Sequence, residues 1–293
     1  MITLLQLLIT GLLVGAVYAL MSSGLTLIFG VMRVVNLAHG AFAVLAAYLT
    51  YTLWSLTGLD PLLSVPIIVA VMFGVGWLSY NLVVRHVRGS HISMTVLVTF
   101  GIALTIEGIA GFVWGNQSRT VRTAYTDTSV QIGPFFLPTA TLLAAAIAVV
   151  LLGALFLILN QTWMGRAVRA SAVNESGALL VGVSVKSISA SAFALGIATL
   201  GAGGAIIAVM YPFIPGTHYQ WIARLLAIVV LGGLGSLMGA VIGALLIGVA
   251  EQLATQYVGA SWVEIVPFLI IFIILIVRPQ GILGQKLRED ATV

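Results

Sequence analysis

The residue types that most often perform chemistry are few in this sequence. Cysteine is absent, which excludes thiolate nucleophiles, thiolate metal sites and disulfides. No HExxH, GxSxG or phosphate-binding-loop motif occurs, and no group of residues has the spacing of metal ligands. The four histidines stand in separate segments: His39, His86, His91 and His218. The sequence therefore predicts no catalytic residues, no metal site and no cofactor bound by this chain.

Glu107 is the most unusual ionisable residue because it falls inside an apolar stretch. At about 1.5 Å per residue it lies about 10 Å from the nearer end of a helix over 92–114, where an ionised carboxylate needs a partner or water. Two interpretations stay open: a pathway-lining or gating group, and a structural hydrogen bond between helices. Glu251 and Glu264, nearer helix ends, are expected to be interfacial or structural. Glu107 continues a small and polar helix face at i, i+4 spacing, expected to turn towards other helices: Thr95, Thr99, Ala103, Glu107 and Gly111.

A second concentration of polar residues is the turn RVVNLAHG between two apolar helices. Asn36 and His39 are residue types that cap helix ends, which is one interpretation. The other is that this turn, followed by the flexible Gly40, lines a route through the membrane.

The segment 162–186 is the best candidate for a docking surface. Because no phosphate-binding loop occurs, any ATP-driven work requires a separate ATPase that must bind this chain. The segment has about 25 residues, whereas most helix connections have roughly 2–8, and its small and charged residues suit a short amphipathic helix. Gly165 is expected to end the preceding helix. An ordinary positively charged loop is the alternative. The candidate contacts are Gly165, Arg166, Arg169, Glu175, Ala178 and Gly182.

Composition places all of these residues in a membrane protein. Hydrophobic residues make up 61% of the chain and charged residues 7%, whereas soluble domains are about one quarter charged. The net charge of +4 does not indicate nucleic-acid binding, because the twelve Lys and Arg residues form no basic patch. We predict an all-α transmembrane bundle of about 8–9 helices in a single domain, 1–293, whose first segment is a span rather than a cleaved leader. The clear spans are 4–29, 41–56, 62–84, 92–114, 139–159, 188–211 and 262–277.

The stretch 224–254 is different because glycines interrupt it. It is too long for one upright helix and too short for two full ones, which predicts a broken or re-entrant pair. Such a break is tolerated in a membrane only where it faces protein or a watery cavity. The candidate residues of the break are Gly232, Gly233, Gly235 and Ser236.

The distribution of Lys and Arg predicts the orientation. Three connections hold eight of the twelve basic residues, and the turn at Arg33 adds a ninth, so we place these connections in the cytoplasm together with the C-terminus. The polar segment 115–138 then becomes an external loop, although Arg119 and Arg122 count against this placement, and the N-terminus lies outside. The eight residues are Arg85, Arg88, Arg166, Arg169, Lys186, Arg278, Lys286 and Arg288.

Four separated stretches, in the same order, resemble the permease subunits of ATP-binding cassette (ABC) importers for branched-chain amino acids, and the resemblance covers nearly the whole chain. They are GLLVGAVYALMSSGLTLIFGVMRVVNLAHGAFAVLAAY (11–48), MGRAVRASAVNESGALLVGVSV (164–185), VVLGGLGSLMGAVIGALLIGVAEQL (229–253) and RPQGILG (278–284).

This resemblance implies a multi-pass protein of the bacterial inner membrane. It implies a second, homologous permease as partner, two ABC subunits that hydrolyse ATP on the cytoplasmic face, and an external substrate-binding protein. The stretch that matches 165–182 is similar to the family's coupling segment, which implies that Arg166, Arg169 and Glu175 contact the ATPase. The turn at 36–40 and the break at 232–236 match family signatures in the membrane core. Ala41 departs from the acidic residue often found there, which leaves neutral amino acids, urea and short amides open as substrates.

Three functions are therefore compared. An ABC importer permease fits all four stretches. A self-contained carrier or channel, with Glu107 as its proton-linked group, would need no ATPase. A membrane-embedded enzyme fits poorly, because no reactive residues converge.

Overall fold

The computed structural model describes residues 2–89, 91–278 and 280–284. In this part of the chain, eight helical segments are long and apolar enough to cross a bilayer, which confirms the predicted all-α bundle. Their ends differ from the predicted spans by three residues or fewer, apart from the interrupted stretch described below. They are Ile2–Met32, His39–Thr57, Val65–Val87, Ser93–Trp114, Thr139–Gln161, Val185–Met210, Leu237–Tyr257 and Ala260–Val277.

The helices are numbered in chain order, and short turns of 3₁₀- or π-helix join some of them. A two-stranded antiparallel hairpin is the one departure from all-α structure among the described residues. The helices are α1 Ile2–Met32, α2 His39–Thr57, α3 Val65–Ser79, α4 Arg85–Val87, α5 Ile92–Trp114, α6 Thr139–Gln161, α7 Trp163–Val173, α8 Glu175–Leu180, α9 Val185–Met210, α10 His218–Gly232, α11 Leu237–Tyr257 and α12 Val266–Val277, with a π-helical turn at Tyr80–Val84, 3₁₀ turns at Pro215–Thr217 and Ala260–Ile265, and strands β1 Ser129–Ile132 and β2 Phe135–Pro138.

Helix α9 forms the centre of the bundle and packs on α1, α2 and α3. Small residues let these helices approach closely. A Cβ atom at Gly196 would lie 2.7 Å from the carbonyl oxygen of Gly24 in α1, and one at Gly201 would lie 2.7 Å from the Cα of Val69 in α3. The glycines of α9 therefore allow tight contact with two neighbours at once.

The two ends of the bundle carry different structures. We call the end with β1 and β2 the hairpin end, and the opposite end, with α7 and α8, the α7–α8 end. The N-terminal turn of α1 lies at the hairpin end, where Gln6 Nε2 donates to the carbonyl oxygen of Phe136 at 3.0 Å. Basic connections predicted to share one side meet at the α7–α8 end, while Lys286 and Arg288 fall outside the described residues. One cavity there is lined by Arg85, His86, Arg88, Glu175 and Lys186, among others.

Arg119, which counted against an external position for 115–138, fixes this segment to the hairpin end. Its backbone pairs with that of Phe213, with both N–H···O distances at 3.0 Å. Its guanidinium donates to Tyr51 Oη at 2.8 Å and to the carbonyl oxygen of Trp114 at 2.7 Å. The Arg119 side chain therefore stabilises the structure of this end by hydrogen bonds to α2 and α5.

Residues 33–38 run back into the bundle as an extended segment rather than forming a surface loop. Helix α1 ends at Met32, yet His39 Nε2 lies 3.0 Å from the carbonyl oxygen of Met21, about 16 Å back along α1. Non-helical backbone at such depth needs partners inside the protein. The hydroxyl of Thr99 in α5 supplies them, because it accepts the N–H of residue 37 at 3.2 Å and lies 3.3 Å from the carbonyl of residue 35.

The predicted helix break is present, but the two helices on either side of it, α10 and α11, differ in length. Helix α10 begins at His218, six residues before the predicted start, and has 15 residues, too few to cross the bilayer. Helix α11 has 21 residues and is long enough to span alone. The prediction that the stretch forms a broken pair rather than two full spans is therefore confirmed, because α11 is long enough to span and α10 is not. The apolar pattern alone did not reveal that α10 starts among polar residues.

Candidate translocation groove and coupling surface

Helix α10 has one buried and one open face, and it ends inside the bundle. Trp221, Ile222 and Leu225 are buried against its neighbours, whereas Tyr219 and Gln220 are exposed. Exposed polar side chains on a helix that lies within the apolar bundle are unusual. This face is therefore the first candidate for contact with water, solute or another subunit.

Glu107 meets the start of α10. Its Oε2 lies 3.1 Å from His218 Nε2 and accepts a hydrogen bond from Tyr219 Oη at 3.2 Å. The His218 side chain is 2% exposed and that of Glu107 29%, so the carboxylate lies at the edge of the core. The α5 face predicted to turn inward does so, because Thr99 and Ala103 are buried. The structure thus supplies the partner that the carboxylate was expected to need.

The polar turn before α2 contacts the same half-helix. Asn36 and His39 are fully buried, and Asn36 Oδ1 accepts the N–H of Ala38 at 3.1 Å. In the described part of the chain no side chain caps the first turn of α2, so the capping interpretation is wrong for this helix. A Cβ at Gly40 would lie 2.8 Å from the backbone nitrogen of Ile222, which shows direct contact with α10. Among the described residues, Asn36 Nδ2 and His39 Nδ1 have no hydrogen-bond partner.

A buried ion pair joins α10 to α11 and α1. Arg224 Nε donates to Glu251 Oε1 at 2.7 Å, and Tyr18 Oη donates to the other carboxylate oxygen at 2.7 Å. The guanidinium carbon lies 5.4 Å from the ring centroid of Tyr18 and 5.2 Å from that of Trp221. Opposite charge and the two ring faces together stabilise a cation in this apolar setting.

The residues of this cluster were not among the predicted site residues, although the amino-acid sequence contains a signal for their pairing. Arg224 served only as the boundary of an apolar stretch, and Glu251 was expected to be interfacial or structural. They are the only two charged residues in 224–254, which already suggests that they pair.

A groove opens beside the ion pair, between α10 and the start of α12. It has a volume of about 220 Å³. Gln220 Nε2 donates to Glu264 Oε1 at 2.8 Å across it. We call this the α10 groove, lined by Tyr219, Gln220, Ala223, Arg224, Glu264, Pro267 and Phe268.

The helix break lies at the far end of α10. Gly233 and Gly235 have φ values of 100° and 83°, a left-handed region that favours glycine, and the Ser236 hydroxyl caps α11 by accepting the N–H of Gly239 at 3.1 Å. Gly232 lies against the first turn of α11, where a Cβ would overlap the backbone of Gly239.

The segment after α12 completes the break. Backbone N–H groups of Ile282 and Leu283 donate to the carbonyls of Leu231 and Gly232 at 2.8 and 3.0 Å. These carbonyls belong to the last turn of α10 and have no partner within the helix. The glycine break therefore packs against residues 282–283 of the segment after α12.

The segment 162–186 contains two short helices rather than one. The Thr162 hydroxyl caps α7 by accepting the N–H of Gly165 at 3.2 Å, and Asn174 caps α8 by accepting the N–H of Gly177 at 2.9 Å. The prediction that Gly165 ends the preceding helix is therefore wrong. Gly165 lies in the first turn of α7. Its lack of a side chain lets α7 fold back against Leu159 of α6.

The three charged candidates of this segment have different contacts. Arg169 binds the C-terminus of α6 through the carbonyl oxygen of Leu159. Arg166 is exposed and donates to the carbonyl oxygen of Gln161 at 3.3 Å. Glu175 accepts from Arg88 at 2.9 Å while its side chain stays 55% exposed. All three residues are exposed, and Arg169 in addition joins α7 to α6.

Apolar side chains protrude from α7 and α8. Val173 is 86% exposed and Leu180 is 89% exposed, and neither belongs to a candidate span. Gly182 is also exposed, with a φ of 84°. Ala178 is buried within the chain and is not presented to a partner, contrary to the prediction. We call the following set of exposed residues in this segment the coupling surface: Arg166, Arg169, Ala170, Val173, Glu175, Leu179, Leu180, Val181 and Gly182.

A cavity of about 320 Å³ lies between α7 and the helix break. The structure therefore brings the coupling segment and the break together, while Gly40 and Glu107 contact the other end of α10. Asn36 and His39 are buried in the turn that precedes Gly40. The cavity is lined on the α7 side by Val168, Arg169 and Ala172, and on the other side by Gly30, Val31, Gly235 and Ser236, among others.

Comparison with known proteins gives one family and several curated relatives. Residues 7–275 match the model of the family described as branched-chain amino acid transport system / permease component. The chain is 27% identical to the high-affinity branched-chain amino acid transport system permease protein BraD of Pseudomonas aeruginosa, with 96% of both chains covered. It has the same identity and coverage with LivH of Escherichia coli. LivM of Escherichia coli is 27% identical over 91% of this chain and 68% of its own length. No solved structure matches the chain.

Proposed function

The chain belongs to the family of permease components of branched-chain amino acid transport systems, and on this basis we propose that it is the membrane-spanning subunit of an ABC importer for branched-chain or other neutral amino acids. The proposal rests on the family match over residues 7–275. The eight candidate membrane spans in the described part of the chain agree with it. The subunit itself hydrolyses no ATP; separate ATPase subunits supply the energy.

The partners follow from the relatives and from the coupling surface. Escherichia coli has two relatives of this chain, LivH and LivM, which supports pairing with a second, homologous permease. Two ATPase subunits bind at the α7–α8 end, and a substrate-binding protein delivers solute at the hairpin end. This orientation places Arg85, Arg88 and Lys186 in the cytoplasm of a bacterial cell, with the C-terminus on the same side.

The coupling surface is where ATPase movement enters this subunit. Val173 and Leu180 would be exposed to water at a cytoplasmic face, and a docked protein covers such apolar side chains. Helix α7 adjoins the cavity that leads to Gly235 and Ser236. A shift of α7 therefore acts first on the break that ends α10, and α10 carries it to the groove.

Transport then proceeds by alternating access. The two nucleotide states of the ATPases bind the coupling surface differently, which biases the permease between inward-open and outward-open states. The α10 groove is this subunit's wall of the pathway, and the second permease closes it.

The sequence leaves two alternatives open: a permease for urea or short amides, and an ion-coupled carrier. The matched family and relatives are all named for branched-chain amino acid transport, which favours neither a urea or amide permease nor an ion-coupled carrier. Glu107 also pairs with the buried His218. This pair joins α5 to α10, so a structural role explains Glu107 without a proton path.

Reconstitution tests the proposal. The chain is purified with its genomic neighbours, a second permease and two ATPases, and placed in proteoliposomes with the binding protein. We expect leucine uptake that requires ATP, stops when the ATPase active site is inactivated, and is not reduced by excess urea or acetamide. Uptake by this chain alone under a proton gradient, abolished by Glu107→Gln, would instead establish the ion-coupled carrier.

A further inference from the structure

The α10 groove combines two opposite charges with an apolar wall. Gln220 and Arg224 are four residues apart on α10, so their side chains leave the same face about 5–6 Å apart. Gln220 holds the Glu264 carboxylate at 2.8 Å, and Glu264 and Arg224 both line the groove. Ala223, the ring of Pro267 and the ring of Phe268 supply the apolar wall.

The Arg224 guanidinium is fixed in place, but not all of its hydrogen-bond donors are used by described residues. Its Nε is used by Glu251, and the rings of Tyr18 and Trp221 hold the guanidinium plane. No described residue accepts a hydrogen bond from its Nη groups, and the side chain remains 16% exposed where it lines the groove. A guanidinium edge that is held rigid and partly open is well suited to bind a carboxylate.

Glu264 has no compensating charge. Its contact in the described part of the chain is the neutral amide of Gln220, and it forms no ion pair there. A carboxylate at the edge of an apolar bundle favours a cationic group as ligand. The groove therefore offers an acceptor for a cation at Glu264 and a donor for an anion at Arg224.

We infer that the α10 groove is a transient subsite for the zwitterionic backbone of an amino acid, with Glu264 binding the ammonium group and Arg224 the carboxylate. This inference rests on the proposed function and adds a location and a recognition chemistry. Charge complementarity selects against other solutes: Glu264 repels a simple carboxylic acid, Arg224 repels an amine, and urea leaves both charges unpaired. The volume of about 220 Å³ is below the roughly 300–1,000 Å³ of sites for drug-sized ligands and suits a small solute.

The first test is equilibrium binding of radiolabelled leucine to the purified permease–ATPase complex without binding protein. Glu264→Gln retains an acceptor for Gln220 on an exposed side chain, so the fold is preserved while the charge is removed. We expect leucine binding to weaken by about tenfold, as for one lost charge-assisted hydrogen bond. Asp127→Asn, which removes another exposed carboxylate outside the groove, is the matched control and should not change binding.

Competition and size provide independent tests. Valine should displace leucine, whereas isovalerate, isoamylamine and urea should not. Ala223→Leu, which fills the groove without changing charge, should weaken binding of leucine more than that of glycine. Equal leucine binding by wild type and Glu264→Gln, or displacement by isoamylamine alone, would overturn the subsite. Failure of the wild-type system to import leucine with ATP would instead refute the proposed function, so the two failures are distinguishable.

Discussion

The α10 groove and the coupling surface lie in opposite halves of the bundle. The groove has charged residues in an apolar environment, whereas the coupling surface has apolar residues in an exposed one. The groove and its ion pair place Arg224, Glu251 and Glu264 within or beside an apolar bundle. The coupling surface exposes Val173 and Leu180 outside any candidate span. Charges in an apolar setting and apolar groups in a polar one both destabilise a protein unless something compensates. In the groove the compensation is partly internal; at the coupling surface it must come from another polypeptide.

Because the ion pair of Arg224 is buried, removal of its charge should reduce folding stability more than any change at the coupling surface. Arg224→Met leaves Glu251, which is 3% exposed, without its cation, and breaking such a pair costs about 3–5 kcal/mol. We expect little folded protein after detergent extraction, and a midpoint of thermal unfolding several degrees lower, measured by size-exclusion fluorescence. Arg224→Met combined with Glu251→Gln should recover most of the loss. Arg166→Met, at an exposed arginine, is the control for removing a positive charge.

The coupling surface should behave in the reverse way, with function lost and folding kept. Leu180→Asp places a charge on a side chain that is 89% exposed, so stability should not change, but the docked apolar contact is lost. We expect ATP-driven leucine uptake to fall by about tenfold or more. Val130→Asp on β1, where the valine is 41% exposed, tests whether any new surface charge has this effect. Normal uptake by Leu180→Asp would remove the main support for docking at α8.

A charge swap separates the two roles of Glu175. Glu175→Lys should abolish uptake if the residue contacts the ATPase. Adding Arg88→Glu restores an ion pair within this chain, and surface pairs are worth about 0–1 kcal/mol, so stability should stay near that of wild type. We expect uptake to remain low in the double variant. Full recovery would mean that Glu175 acts only through Arg88.

The smallest effect is expected at the hairpin end, away from both regions. Tyr125 Oη donates to Asp60 Oδ1 at 2.9 Å, and burial, aided by this contact, raises the pKa of Tyr125 to about 12. A raised pKa stabilises the folded state below the ordinary value of 10.0, and this contribution is lost as the pH rises from about 10 to about 12. In thermal unfolding, Tyr125→Phe should be slightly less stable at neutral pH, and its loss of stability between pH 10 and 12 should be smaller. A parallel pH profile for the two proteins would contradict this.

Much of the fold was predictable because the lipid environment allows few choices. Long apolar runs located the spans, and four glycine and serine positions located the break. The extended segment 33–38 was not predictable, because the hydroxyl of Thr99 that satisfies its backbone lies on α5, far away in sequence. The early start of α10 was also missed, since HYQW does not look like the beginning of a membrane helix.

The candidate sites were predictable only in part. The turn at Asn36, the carboxylate of Glu107 and the segment 162–186 stood out by residue type or length. Their grouping depends on tertiary packing: the start of α10 contacts both Glu107 and Gly40, which follows the turn, and α7 lies opposite Gly235. Burial of Ala178 was equally hidden, because one face of α8 packs on this chain and the other is exposed.

The most direct test of the central claim is the accessibility of the coupling surface. The chain has no cysteine, so Leu180→Cys introduces a single thiol without further changes. We predict that a membrane-impermeant maleimide labels this thiol in inside-out vesicles stripped of the ATPases, that added ATPase subunits protect it, and that intact cells are not labelled. Labelling in intact cells, or labelling that the ATPases leave unchanged, would contradict the account.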